Sequence, residues 1–242
     1  MESAGMRKYL TLLRPERFSD IVALLALYRP GPLGSGMVDE FIKRKHGEVP
    51  VVYPHPSLES CLKDTYGVIV YQEQVMQIAE TAAGYTAAEA DTLRRAMSKK
   101  KAAVMEKERQ NFVYGNEEEG IPGCINNGID EKTANQIWDE MLDFAKYAFN
   151  KSHAAAYAVV AYQTAYLKYY YPVEFMAALM TSVIDNPGKV SEYIYSCRQM
   201  GIEILPPDIN KGEGKFSVDN GNIRYGLAAI KSIGKPDRKS VV

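Results

Sequence analysis

The sequence is short of most features that would place it in a specialised class. Its three cysteines, Cys61, Cys124 and Cys197, stand far apart without the paired spacing of metal ligands, and His46, His55 and His153 share no short ligand motif. That pattern argues against a zinc site. There is no charged-plus-apolar signal segment at the start and no long apolar run, so neither secretion nor membrane insertion is indicated, and a cytoplasmic protein is expected. Charge of one sign is also missing. A formal net charge of −1 argues against a free-standing nucleic-acid module held by bulk electrostatics, which is usually strongly basic. Any contact with nucleic acid must be local. No internal repeat or low-complexity segment is present.

What is present is enough apolar sequence, 46% of 242 residues, for one large or two ordinary domains. The ends read as cut from something longer: the chain opens directly into polar helix-like sequence at Glu2–Arg7 and stops at DRKSVV, 237–242, without structural closure.

The stretch Tyr147–Tyr170, YAFNKSHAAAYAVVAYQTAYLKYY, organises the rest. Asn150 or Ser152 can cap a helix that Pro172 ends. From Ala154 to Tyr162 apolar or aromatic residues occupy every side, which predicts burial among other helices. Gln163, Thr164 and Lys168 interrupt it too early for a membrane span. Lys151 and His153 sit where the helix dipole is positive, at a cost of about 0.3–1 kcal/mol per charge unless something negative is near. An anion would remove that conflict. Amides, a hydroxyl, an ammonium and an imidazole at one helix start make a cradle for phosphate oxygens; an ordinary capped helix with a solvated Lys151 fits the stretch equally well.

Taken in order, Glu2–Leu13 and Phe18–Tyr28 read as helices, the second stopped by YRPGP at 28–32, a rigid turn that holds Arg29. A carboxylate partner is the simplest expectation for Arg29; an anionic ligand or neighbouring domain is the other. Met37–His46 and Leu58–Thr65 are short helices, and YQEQVMQIAETAAGY is a longer one stopped by Gly84. Thr86 to about Arg109 reads as one helix with Ala90, Leu93 and Met97 on one side. Arg94, Arg95, Lys99, Lys100 and Lys101 cluster on it with no acid among them. A charge run on a helix is usually a solvated face, but adjacent arginines match phosphate oxygens well.

Asn116–Asp130 reads as a mobile surface insertion. Glu131–Phe144 is a helix carrying Trp138; its acids Asp139, Glu140 and Asp143 read as solvent-facing rather than as metal ligands. Val173–Thr181 and Lys189–Met200 are further helices, after which Lys215–Val218 and Ile223–Tyr225 form strands around the turn Asp219-Asn-Gly-Asn, followed by a helical LAAIKSIG. The expectation is a mainly α multi-helix domain over 1–210, and over 211–242 a small β-hairpin near the C-terminus with its following helical segment.

Several strings in one colinear order, YRPGP at 28–32, SGMVD at 35–39, YGVIVYQEQVMQIA at 66–79, LRRAMSKKK at 93–101, FNKSHAAAYA at 149–158 and ILPPDIN at 204–210, resemble the bacterial DNA polymerase III alpha subunits, the C-family replicative polymerases. GIPGCINNG at 120–128 is extra length relative to that pattern, and DRKSVV does not match it. The resemblance implies a fingers domain that closes over an incoming deoxynucleoside triphosphate and the templating base. Arg94, Arg95, Asn150, Lys151, Ser152 and His153 become candidates for the triphosphate clamp, Tyr147 for packing on the sugar or base, and Lys99, Lys100 and Lys101 for DNA backbone. The family is a DNA-directed DNA polymerase whose palm aspartates hold Mg²⁺. Their Asp-x-Asp pattern is absent here, so the fragment alone is expected to be inactive and to hold no Mg²⁺ itself. Implied partners are dNTP, primer-template DNA, the palm and thumb of the parent subunit and, through regions not present, the sliding clamp; no membrane is implied. A single-stranded nucleic-acid binding module and a helical interaction scaffold are the alternatives, the first needing aromatic residues interleaved with basic ones over an open groove.

Overall fold

The structure, a computed structural model, describes residues 3–99, 102–145 and 147–230, except the side chains at 98, 99, 102 and 103. Among these residues there are twelve α-helices: α1 (Ala4–Leu13), α2 (Phe18–Leu27), α3 (Pro30–Gly34), α4 (Met37–Lys45), α5 (Glu59–Leu62), α6 (Gln72–Ala83), α7 (Ala87–Lys99), α8 (Ala102–Tyr114), α9 (Glu131–Ala145), α10 (Lys151–Tyr170), α11 (Pro172–Ser182) and α12 (Pro187–Gln199). Three short strands follow: β1 (Ile204–Leu205), β2 (Ser217–Asp219) and β3 (Asn222–Arg224). The chain is therefore mainly α with a small sheet near its C-terminus. None of the described helices is long and apolar enough to cross a membrane.

The chain divides into two compact units, 1–159 and 160–242. The first has two cores. In one, Trp138 lies 5.5 Å from Phe112 between ring centres and packs with Ile78, Leu93 and Ile137. In the other, Leu13, Leu24, Leu27 and Phe41 surround Tyr71, Ala154 and Ala158.

Side chains at the helix starts explain where the elements begin. Asp20, inside α2, turns back so that its carboxylate accepts from the amides of Glu16 at 3.0 Å and Arg17 at 3.2 Å. Gln74 in α6 accepts from Val70 N at 2.8 Å and Tyr71 N at 3.0 Å and donates to Thr65 Oγ1 at 2.7 Å. A buried amide satisfied on both ends fixes the α6 entry firmly. Thr86 and Glu89 form a reciprocal cap for α7, and Asp130 Oδ1 caps α9 through Thr133 N at 3.0 Å.

In the second unit β3 pairs parallel with β1 and antiparallel with β2. Asn220 and Gly221 take φ 51° and 78°, the left-handed pair a two-residue hairpin turn demands. Ile223 and Phe216 pack on Met176, Met180 and Cys197, and Thr181 Oγ1 in α11 accepts from Phe216 N at 3.2 Å.

Several expectations from sequence are corrected. α10 is not sequestered among helices: Ala154 and Ala158 are buried, whereas Tyr157, Val160, Tyr162, Tyr166, Tyr169 and Tyr170 are exposed. Only the small alanines let a neighbour approach, and an all-round apolar pattern cannot reveal whether a neighbour is there. YRPGP contains a helical turn, α3, whereas the helix expected from Thr86 is helical over its described residues, α7 and α8, with 100 and 101 outside them. The 116–130 segment is not a free surface insertion. Ile121, Cys124 and Ile129 are buried in the Trp138 core, and Cys124 N donates to Phe112 O at 2.9 Å. Gly123, at φ 82°, lies so close to α8 that a Cβ would sit 2.2 Å from Gly115 N. β1 was not foreseen; two residues are too few to show alternation.

Candidate functional site

Two of the candidate residues, Arg94 and Lys151, meet the first turn of α6. Tyr71 bridges Phe149 in parallel fashion, and Gln72 N donates to Phe149 O at 3.0 Å, which ties α6 to the segment entering α10. Arg29 holds that segment from the other side. Its Nη2 donates to Tyr147 O at 2.6 Å and its Nε to Ala26 O at 2.7 Å, and its guanidinium lies 4.5 Å from the Phe149 ring centre. Arg29 thus takes two main-chain carbonyls and an aromatic face, where a carboxylate was the simplest expectation.

Arg94 and Arg95 project from α7, and neither is simply solvated. Asp91, one turn earlier, receives Arg94 Nη2 at 2.7 Å and Arg95 Nη2 at 2.8 Å. The hydrogen bond from Arg94, followed by the charge of both arginines, holds the Asp91 carboxyl below the usual range. Arg94 Nη1 also donates to Gln72 Oε1 at 2.6 Å. Its side chain is 24% exposed and that of Arg95 is 68% exposed. Asp91 and Gln72 therefore help to aim Arg94, while Arg95 presents most of its fork to solvent.

At the start of α10, Asn150 is the cap. Its Oδ1 accepts from His153 N at 2.8 Å. The anion that the dipole argument calls for is already part of the protein: both oxygens of Glu73 lie 3.0 Å from Lys151 N. Lys151 Nζ sits 5.4 Å from the centre of the buried Tyr71 ring, whose own hydroxyl is pushed up chiefly by burial. Ser152 is exposed on the same turn. The His153 ring is edge-on to Phe149 at 5.3 Å and stacked on Tyr157 at 4.7 Å.

Tyr147 is half-buried, with its ring against Gly31: a Cβ there would lie 2.4 Å from Tyr147 Cδ1. It also borders a cleft of about 640 Å³ that Gly36, Arg44, Glu140 and Asp143 help to line. Lys100, Lys101 and the Lys99 side chain lie outside the described residues.

Gln72 and Glu73 thus join the two candidate clusters. Consecutive residues on α6, they meet different elements, Gln72 reaching Arg94 and Glu73 the α10 start. Neither was singled out from sequence, nor was Asp91. A Gln-Glu pair at a helix start is ordinary helix chemistry, and only tertiary structure shows what it touches. Among the described residues no three His, Cys, Asp or Glu side chains are grouped to hold a metal ion. Asp139 instead pairs with Arg109 at 3.4 Å.

Residues 1–120 match the bacterial DNA polymerase III alpha subunit finger domain, and residues 201–242 match a helix-hairpin-helix motif. The chain is 51% identical over 234 residues to DNA polymerase III subunit alpha of Bacillus subtilis (strain 168), a match covering 97% of this chain and 20% of that protein. The subunits of the same name from Pseudomonas aeruginosa and Escherichia coli (strain K12) are 52% and 50% identical over 241 and 248 residues, covering 97% and 100% of this chain and 20% and 21% of theirs. The chain belongs to the bacterial DNA polymerase III alpha subunit family. It spans about a fifth of the length of the curated relatives it matches. In family terms, the site on α6, α7 and the segment before it lies in the finger domain, while the α10 start lies beyond the matched residues 1–120.

Proposed function

We propose that this chain is the finger portion of a bacterial replicative DNA polymerase and that its site receives the triphosphate of an incoming dNTP opposite the templating base. The observation that carries the reading is the convergence of Arg94 and the α10 start on the adjacent residues Gln72 and Glu73. Guanidinium groups match phosphate oxygens in a bidentate way, and a helix start adds oriented amides. Asp91 and Glu73 act as stand-in anions that keep these donors pointed while no nucleotide is bound. A polyphosphate displaces them, Arg95 engaging first because it is the more exposed. The contribution is positioning and charge stabilisation, with no covalent chemistry by these side chains. The nucleotidyl transfer itself, primer-template DNA, the palm and thumb, the sliding clamp and Mg²⁺ belong to the parent subunit under this reading.

The test is an amide NMR titration with a deoxynucleoside triphosphate, repeated on the Arg94→Ala, Arg95→Ala double variant. Saturable shifts near residues 72–73, 91–95 and 150–153 that the variant loses are expected. Shifts elsewhere, or shifts that survive the double substitution, would sink the assignment.

One observation favours a second reading, a single-strand binding surface. Tyr157, Tyr162, Tyr166, Tyr169 and Tyr170 stand exposed on α10, with Tyr166 and Tyr170 rings 4.5 Å apart, and exposed aromatics can stack on bases. Titration with short single-stranded DNA at two salt concentrations separates the readings: strong, steeply salt-dependent shifts confined to these tyrosines would favour the second.

A further inference from the structure

Arg29 is a half-buried cation with no carboxylate partner among the described residues. Part of its role is local. The next residue, Pro30, has no N–H to give to Ala26 O, the carbonyl four residues back at the end of α2, and Arg29 Nε supplies the missing donor at 2.7 Å. The rest of the guanidinium is not needed there. Its Nη2 reaches 118 residues along the chain to Tyr147 O at 2.6 Å, and its carbon centre lies 4.5 Å from the middle of the Phe149 ring.

Phe149 passes this contact on. Its main chain is tied to α6 through Gln72 N, and its ring meets the His153 imidazole edge-on at 5.3 Å, with 78° between the planes. On its other side the imidazole is stacked at 4.7 Å on Tyr157, with 28° between the planes. Neither His153 ring nitrogen has a hydrogen-bond partner among the described residues, so these two aromatic contacts set the exposed ring in place. An imidazole held by its neighbours' rings keeps both nitrogens open to an oxyanion.

We infer that Arg29 is a positioning residue for the α10 start: it holds the Phe149 ring, and through that ring the His153 imidazole. The inference rests on the triphosphate reading only for what His153 meets. A lysine does not replace the arginine, because an ammonium on a flexible stem takes one carbonyl but lacks the planar fork that joins two carbonyls and an aromatic face. The segment itself stays docked in such a variant, since the Tyr147 ring remains against Gly31 and Phe149 O still accepts from Gln72 N.

The 242-residue chain, labelled with carbon-13 in its histidines and phenylalanines, is compared by NMR with Arg29→Lys and with Phe149→Leu, which keeps Arg29 and removes the ring. In the unliganded protein the His153 ring resonances should move towards those of a free histidine in both variants. The nuclear Overhauser effect between Phe149 and His153 should weaken in Arg29→Lys. The indole signal of Trp138, which lies in the other core, should stay where it is and so report an intact fold. Affinity for dATP should fall by about three- to tenfold in Arg29→Lys, with no further loss when Arg29→Lys is added to His153→Ala. A residue that only stabilised the fold would lower affinity by the same factor in both backgrounds. An unmoved His153 ring in Arg29→Lys, an unchanged affinity, or a full additional loss in the His153→Ala background would overturn the inference. Absence of dATP binding by the wild-type chain would sink the triphosphate reading instead, and the His153 ring resonances of the unliganded variants would then decide the role of Arg29 by themselves.

Discussion

Gln72 Oε1 accepts a 2.6 Å hydrogen bond from Arg94 Nη1, while the Gln72 amide donates to Phe149 O at 3.0 Å, so one residue sets both the aim of an α7 arginine and the position of the α10 entry. Gln72→Ala removes only the first of these, because the amide stays. Arg94 then still keeps its bonds to Asp91. Triphosphate affinity should fall by about three- to tenfold, less than in Arg94→Ala, with little change in melting temperature. Isothermal titration calorimetry reads the first effect and thermal denaturation the second. Equal affinity in wild type and variant would remove Gln72 from the site.

Glu73 has two effects of opposite sign. Its carboxylate accepts from Lys151 N and so stabilises the α10 start, yet it occupies the place an incoming phosphate needs. Glu73→Ala should lower stability by about 0.5–2 kcal/mol, the usual worth of a capping group, and should strengthen inorganic phosphate or triphosphate binding at low salt. Urea unfolding and a phosphate titration measure the two. Loss of stability together with weaker anion binding would show that Glu73 organises the site rather than guarding it.

The helices were legible because their caps and apolar spacing are local. Asn150 as a helix cap, Thr86 as a helix start and Pro172 as the end of the long helix are boundaries that the structure keeps. The candidate arginines were visible as a basic pair, but their partners were not: Asp91 is three residues from Arg94, Gln72 twenty-two, and Lys151 meets Glu73 across seventy-eight. Pairing over such separations is decided by packing. The burial of Ile121, Cys124 and Ile129 failed to show for a related reason, since a segment rich in Gly, Asn and Glu hides three apolar anchors spaced with no helical or strand period.

Burial pushes the Cys124 thiol up to about 12 from an ordinary value near 9. Burial, followed by the charge of Asp20, also raises the Tyr66 hydroxyl to about 12. Both groups hold their protons in the folded state at pH values where the unfolded chain has released them. The folded state then binds more protons, so stability falls as pH rises from about 9 towards 12, and none of this contribution is lost below 9. Urea midpoints between pH 8 and 11 should decline steadily, and the decline should be shallower in Tyr66→Phe. In the native protein at pH 8, Cys124 should resist a thiol reagent that labels it once the chain unfolds; prompt native labelling would contradict its burial.

Gly123 and Gly120 lie in one segment and both have positive φ, 82° and 70°, yet they should respond differently to the same substitution. At Gly120 a Cβ meets nothing within 4 Å, so Gly120→Ala carries only the left-handed backbone cost of about 1–2 kcal/mol. At Gly123 the new Cβ would sit 2.2 Å from Gly115 N and 2.6 Å from Tyr114 C, main-chain atoms that cannot swing aside. Relief requires the 121–124 backbone to move away from α8, breaking the Gly123 N to Ala83 O and Cys124 N to Phe112 O bonds and lifting Ile121 and Cys124 from the core. Gly123→Ala should therefore destabilise by about 2 kcal/mol or more beyond Gly120→Ala. Trp138, the sole tryptophan and packed on Phe112, reports the transition by fluorescence in urea. Equal midpoints for the two variants would mean that the segment is not pinned to α8, and would return it to the surface insertion its composition suggests.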